Sequence, residues 1–310
     1  MNARVPRRGF ALVSTLFALV LVGALVGGAF FAALQELRVA RNEGDAQRAR
    51  AAAESAADLA IAGWDGSRLN AMPAGDSQPV SVALLSGASP AFVTVVRLNR
   101  QIFLVRATGG EPAAGTSSSV GRVVRLDMPR LAMRAAISVL TPADPAAAAI
   151  ADGADRDPPG WTCDAGPRDT VPGIQVGPWP LDWDSLAALA RTAVDPAAVQ
   201  AELGAGRPLV LVRGDVTLTG GRGGGLLLVD GDLTIQGGFE FDGVVVVRGA
   251  LTMTGSAGTI RGAVAAEGLR AGGASPGAAL LGYSSCALSR ALEAAARVRP
   301  LARRGWAQLY

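Results

Sequence analysis

The chain has no histidine, no lysine and only two cysteines, and 5% of its 310 residues are aromatic. Without histidine, Ser-His and Cys-His nucleophile pairs and the common zinc sites are excluded. Charged residues make up 18%, too few for a disordered charged tail. The missing lysine reads as codon bias and not as function. What is plentiful is small and apolar. Half the chain is hydrophobic, and its 40 glycines are about twice the usual share. Such a composition predicts a core of small side chains and closely approaching backbones. The length allows about two domains, or one domain with appendages.

The pI near 9.5 invites a nucleic-acid reading, but the charge is local. Arg4, Arg7 and Arg8 stand in a leader without acids, and the arginines beyond it equal the 26 acids in number. In the tail, Arg290, Arg297, Arg299, Arg303 and Arg304 face Glu293 alone. A nucleic-acid partner is not expected.

From Gly9 to Gln35 the sequence carries no charge. As a helix this run would measure about 40 Å, enough to cross a bilayer. It is too long for the apolar region of a cleaved secretory signal. The arginines before it place the N-terminus in the cytoplasm and the remainder outside. Helix formers continue without proline to Met72-Pro73. Ala49, Ala53, Ala56, Ala57 and Ala60 form a stripe at i, i+3, i+4 spacing, with Arg48, Glu54 and Asp58 off it. One helix from Phe10 to about Ala62 is therefore expected, its first half in lipid and its second half lying on a globular head. Gly23 and Gly27 give the small-xxx-small spacing that lets membrane helices approach closely, although glycine is common in such helices anyway. Arg7-Arg8-x-Phe10 also matches a twin-arginine export signal, and a plain signal-anchor fits the same hydropathy.

The short basic leader, the glycine-aromatic junction, the uncharged stretch and the Ala-rich continuation ARNEGDAQRARAAAESAADLA resemble the class III signal and N-terminal region of PilX-type minor pilins. More loosely they resemble the GspK-type pseudopilins of type II secretion. The resemblance covers roughly the first 60 residues. It implies cleavage between Gly9 and Phe10 by a prepilin peptidase on the cytoplasmic side, and methylation of the new N-terminus. It also implies other pilins and the inner-membrane assembly machinery as partners. The expected location is the inner membrane, single-pass with a periplasmic head, and then a cell-surface fibre. The family's fifth mature residue is Glu; Ser14 stands there. A carboxylate in lipid persists only when paired, in this family with the N-terminal ammonium of the preceding subunit. Ser14 cannot give that contact, although Phe10 can receive it, which favours placement first in the fibre, at its tip.

In the head, β-branched runs at 79–85, 91–98, 101–108 and 121–128 predict an antiparallel sheet with a turn at 98–101. Then LVLVRGDVTLTGG, LLLVDGDLTIQGG and VVVVRGALTMTGS repeat, marked by Gly214, Gly231 and Gly249, with a fainter copy at Gly268. A helix-free period this short points to a β-solenoid, whose coils share a core only when stacked. Thr217, Thr234 and Thr252 recur at one phase. The repeat resembles the Gly-marked stretches of bactofilins in its coil and not in function. The GRGGG segment at 221–225 is expected to bulge from a corner. A helix from Asp184 or Ser185 to about Gly204, and another over 289–298 stopped by Pro300, are the candidate end caps.

The fold class expected is α+β: a long N-terminal helix, a small antiparallel sheet, then a helix-capped solenoid. The divisions are a leader at 1–9, the helix at 10–63 with 10–34 in the membrane, a β head at 64–130 and an irregular linker at 131–182. Helix plus solenoid follow at 183–286, with a C-terminal helix and basic tail at 287–310. Cys163 and Cys286 flank the solenoid block in an oxidising compartment and predict a disulfide. Asp152, Asp155, Asp157 and Asp164 lack EF-hand spacing and read as a solvated loop, not a calcium site. Arg207, Arg213, Arg222, Arg248, Arg261 and Arg270 alternate with acids and read as solvated corners. No catalytic group, cofactor or metal is assigned, so an enzyme is not expected. The alternative function is a membrane-anchored adhesive or DNA-binding module using the solenoid face.

Overall fold

A computed structural model describes residues 10–83, 90–110, 117–143, 145–161, 163, 170–179, 181–190, 192–254, 258–272, 280–301 and 306–309. Helix α1 runs unbroken from Phe10 to Ala62, 53 residues and about 80 Å. The apolar part is exposed on all sides, and the predicted alanine stripe is buried at Ala49, Ala53, Ala56, Ala57 and Ala60. The stripe lies on an antiparallel sheet ordered β1 (Ser77–Val80), β2 (Ala91–Arg97), β3 (Ile102–Gly109), β4 (Ser118–Asp127). Val95, Phe103, Val105 and Val124 project from the sheet onto the alanines, and their large side chains fill what alanine leaves open. A Cβ on Gly109 would collide with the Ala49 carbonyl of α1, so glycine is what lets helix and sheet meet there. The short helix α2 (Gly66–Leu69) follows α1, capped by the Asp65 carboxylate accepting from the Ser67 and Arg68 amides.

The second sheet is a parallel solenoid with three walls. After β5 (Ile137–Val139), α3 (Pro145–Ala148), β6 (Ala151–Asp152), β7 (Ile174–Val176), α4 (Trp183–Ala187), β8 (Ala193–Val194) and α5 (Val199–Gly204) come the main coils. These are β9 (Leu209–Arg213), β10 (Val216–Thr219), β11 (Arg222–Asp230), β12 (Leu233–Gln236), β13 (Glu240–Thr254) and β14 (Thr259–Gly272). β15 (Leu281–Tyr283) and α6 (Ser285–Ala295) follow. Wall A stacks β8, β9, the second half of β11, the middle of β13 and β14, then β5 and β7. Wall B stacks β10, β12 and the ends of β13 and β14. Wall C stacks the starts of β11, β13 and β14, then β15 and β6. The interior is filled by alternate residues such as Val210, Leu227, Val245, Leu233, Leu251 and Phe241.

The glycine repeat is the solenoid's corner. Gly214 has φ +101°, and a Cβ on Gly231 would lie 2.5 Å from the Gly214 carbonyl carbon. The Asp215 carboxylate accepts from the Asp232 amide, and the Asp232 carboxylate from the Ala250 amide, each at 2.8 Å, so successive rungs are stapled at this corner. Thr217, Thr234 and Thr252 lie in register as a ladder.

Several expectations are corrected. GRGGG is not a bulge: Arg222–Gly225 pairs in register with Glu240–Gly243 and opens wall C. Gly225, Gly243 and Gly262 form a second glycine column at positive φ, where a Cβ on one rung would strike the carbonyl of the rung before. The stretch at 131–182, read as irregular, supplies β5, β6 and β7, which complete the far rung out of chain order. The helix over 184–204 is broken into α4 and α5, because Asp182 caps the first and the Asp195-Pro196 pair starts a new turn. Of the expected caps, α5 closes a solenoid end: Val199 and Leu203 enter its core, and the Gln200 side-chain amide bonds both backbone groups of Thr219. Helix α6 begins earlier than expected, capped by Ser284, and lies along wall A instead of across an end. It stops at Ala295 because β16 (Arg297–Pro300) then pairs with β4, as does β17 (Trp306–Leu309). The solenoid is therefore an insertion between two strands of the first sheet.

Candidate functional site

The helix α1 is the first candidate. The segment from Leu12 to Ala62 is long and apolar enough to cross a membrane. Phe10 opens the helix, and Ser14 is exposed on it one turn further on. Gly9 and the leader arginines lie outside the described residues. Beyond the apolar stretch the helix carries its own ion pairs, Asp45–Arg48 and Arg50–Glu54, at 2.6 and 3.0 Å. Asp58 then pairs with Arg122 of β4 at 3.3 Å, tying helix to sheet.

The second candidate is the junction between sheet and solenoid, which the sequence did not reveal as a unit. Arg97, at the end of β2, is 5% exposed. Its guanidinium donates to the carbonyls of Asn70, Met72, Asn99 and Arg100 and to the Glu293 carboxylate at 3.2 Å. Arg100 holds the other Glu293 oxygen at 2.5 Å. The Asn70 amide donates to the Glu293 carbonyl at 2.8 Å and accepts from Trp64 Nε1 at 2.8 Å. Trp64 in turn meets Phe103 edge-on at 5.3 Å. The segment after α1 and the sheet thus converge on Glu293 of α6, Asn70 at its backbone carbonyl and Arg97 and Arg100 at its carboxylate. The visible trace in the sequence is Glu293 itself, the lone acid of an arginine-rich tail.

Cys163 and Cys286 form the expected disulfide, with Cα atoms 6.0 Å apart and a sequence separation of 123. It ties Cys163 to the start of α6. The same end of α6 is held by Asp155, which accepts from the Ser285 amide and hydroxyl at 2.9 and 2.6 Å. Arg290 lies over the Trp161 ring at 4.5 Å. The acidic loop is not gathered around one point. Asp152 pairs with Arg156, Asp155 serves α6, and Asp157 lies within 4.8 Å of the two sulfurs, which are joined to each other and not free thiolates. Asp164 is outside the described residues.

The arginines of the solenoid do not share a face. Arg222 and Arg261 stand on wall C with Glu240 and Asp242, and Arg261 contacts Asp242 at 2.6 Å. The Arg261 and Arg222 guanidiniums hold the Glu240 carboxyl below its ordinary range, and Asp242 raises Arg261. Arg248 pairs with Asp230 at 3.0 Å and lies over Trp183, while Arg207 pairs with Glu202. Arg213 sits opposite Asp230, and Arg270 lies on wall B.

Comparison with protein-family models, with characterised proteins and with solved structures finds no match to this chain.

Proposed function

We propose that the protein is a minor pilin or pseudopilin, a structural and assembly component of a type IV pilus-like fibre. The observation that carries this reading is the division of α1. One unbroken helix has a fully exposed apolar half and an alanine-striped half packed on an antiparallel sheet. An exposed apolar helix of this length needs lipid or other helices around it. A subunit stored in the inner membrane and then packed helix-to-helix in a fibre meets both needs with the same surface. The leader ending at Gly9 and the disulfide-bonded head agree with processing on the cytoplasmic side and a head outside it. Prepilin peptidase, other pilins and the inner-membrane assembly machinery are the partners this role requires. The role requires no catalysis.

Ser14 and the inserted solenoid both favour the fibre tip. A tip subunit has no preceding ammonium for a carboxylate to meet, and a bulky head packs poorly along a crowded shaft. Intact-mass measurement on the membrane-extracted protein tests the processing. The expected product begins at N-methyl-Phe10, and Gly9→Val blocks its formation. Retention of Met1, or a cut near residues 29–33, overturns the reading. Immunogold label spread evenly along fibres overturns tip placement alone.

A further inference from the structure

The three walls of the solenoid are left in different states. The outer face of wall A is apolar and covered by α4 and α6. Wall C spends its charges on itself, in the Arg222–Glu240–Arg261–Asp242 chain. Among the described residues, wall B is neither covered nor self-satisfied. Thr217 and Thr219, Thr234 and Gln236, and Thr252 and Thr254 point outward from three successive rungs in two straight columns. The alternate residues, Val216, Leu218, Leu233, Ile235, Leu251 and Met253, are buried beneath them. Among the described residues, none of these six outward side chains hydrogen-bonds to another protein group. Glycine pairs at 220–221 and 237–238 border the first two rungs of the wall. Arg270, on the fourth rung, is the single charged residue of the wall's four segments.

We propose that wall B is a binding platform for an extended, uncharged polysaccharide. Threonine hydroxyls and the glutamine amide both donate and accept, which matches the hydroxyls of a neutral sugar. Rungs are about 4.8 Å apart, comparable with the length of one hexose unit in an extended chain. A glycan lying across the strands therefore meets a fresh pair of polar groups at each rung. Five of the six groups are β-branched and stiff at χ1, so little side-chain freedom is lost on binding. An anionic polymer finds one arginine and no basic row. This platform is independent of α1 and stands whether or not the helix builds a fibre.

The test is retention of the full chain, in detergent micelles, on phosphoric-acid-swollen cellulose and on chitin. Wild type is retained on at least one of the two. Thr234→Val with Thr252→Val keeps the branched shape and removes two hydroxyls, and its affinity falls about tenfold. Thr234→Ser with Thr252→Ser keeps the hydroxyls and the retention, and Thr94→Val on the other sheet leaves it unchanged. Retention on neither matrix overturns the proposal. So does equal retention of the valine variant, or binding to DNA or heparin beads in place of the neutral matrices.

Discussion

The two halves of the head bury apolar surface in opposite ways. In the sheet half, one helix of small side chains lies on one face of an antiparallel sheet, and Phe103, Val95 and Val105 supply the volume. In the solenoid half, each rung is roofed by the rungs on either side, and the core is a stack of mostly aliphatic side chains closed by α5 at the first end and by β5, β6 and β7 at the other. A helix on a sheet can yield to a local change by a small shift of the helix. A rung in a stack cannot shift without disturbing both neighbours. The sheet half is thus suited to carrying a helix that changes surroundings, and the solenoid half to holding a fixed surface away from it. Glu293 joins the two through Arg97 and Arg100, and the disulfide lies within the solenoid half.

This contrast can be broken first at the glycines. Gly262→Val adds both a side chain at φ +143° and a collision with the Gly243 carbonyl. It is expected to cost more than about 5 kcal/mol and to abolish the folded solenoid, seen as loss of cooperative unfolding. Gly109→Val also collides with backbone, but with α1, which has room to lift. A cost of about 3 kcal/mol with the fold retained is expected. Equal effects at the two sites remove the distinction between stack and layer.

The next largest effect is expected from Cys163→Ser with Cys286→Ser. Opening a loop of this length removes about 4–5 kcal/mol by chain entropy, and thermal unfolding of the solenoid should fall well below that of the sheet half. Glu293→Gln acts on the joint itself. It leaves Arg97 with its carbonyl partners but without its carboxylate, at a cost of about 2–3 kcal/mol. The expected sign is separation of one melting transition into two, measured by calorimetry. The smallest effect is on pH. Glu240, lowered by hydrogen bonding to Arg261, and Asp182, lowered by hydrogen bonding to Ser185, both titrate below their ordinary range. Their contribution is complete above the unfolded carboxylate range and is lost as pH falls through the lower folded values. Both groups are solvent-facing, so the melting temperature should drop only slightly across that window, and Arg261→Gln should flatten the drop.

The sequence made the repeated and periodic parts legible. The alanine stripe reads directly because 3.6-residue spacing maps onto one helix face, and the coils read because Gly214, Gly231 and Gly249 recur beside like strands. Wall C was hidden because a run of glycines carries the composition of a loop, while its pairing with Glu240–Gly243 comes from the stack. The far rung was hidden because β6 and β7 have two and three residues and join β15 and β5 instead of a following coil. β16 lay behind the expected stop at Pro300, since its pairing partner β4 is more than 150 residues away. The junction escaped for the same reason: Asn70, Arg97 and Glu293 are distant in sequence and share no local pattern.

The central claim is that one helix serves first as a membrane anchor and then as the packing element of a fibre. Shearing surface fibres from cells that carry or lack prepilin peptidase, and assaying both fractions by mass spectrometry, tests it most directly. The account predicts this chain in the sheared fibres, beginning at N-methyl-Phe10, only where the peptidase is present. A chain that stays wholly in the membrane with Met1 intact in both strains contradicts it.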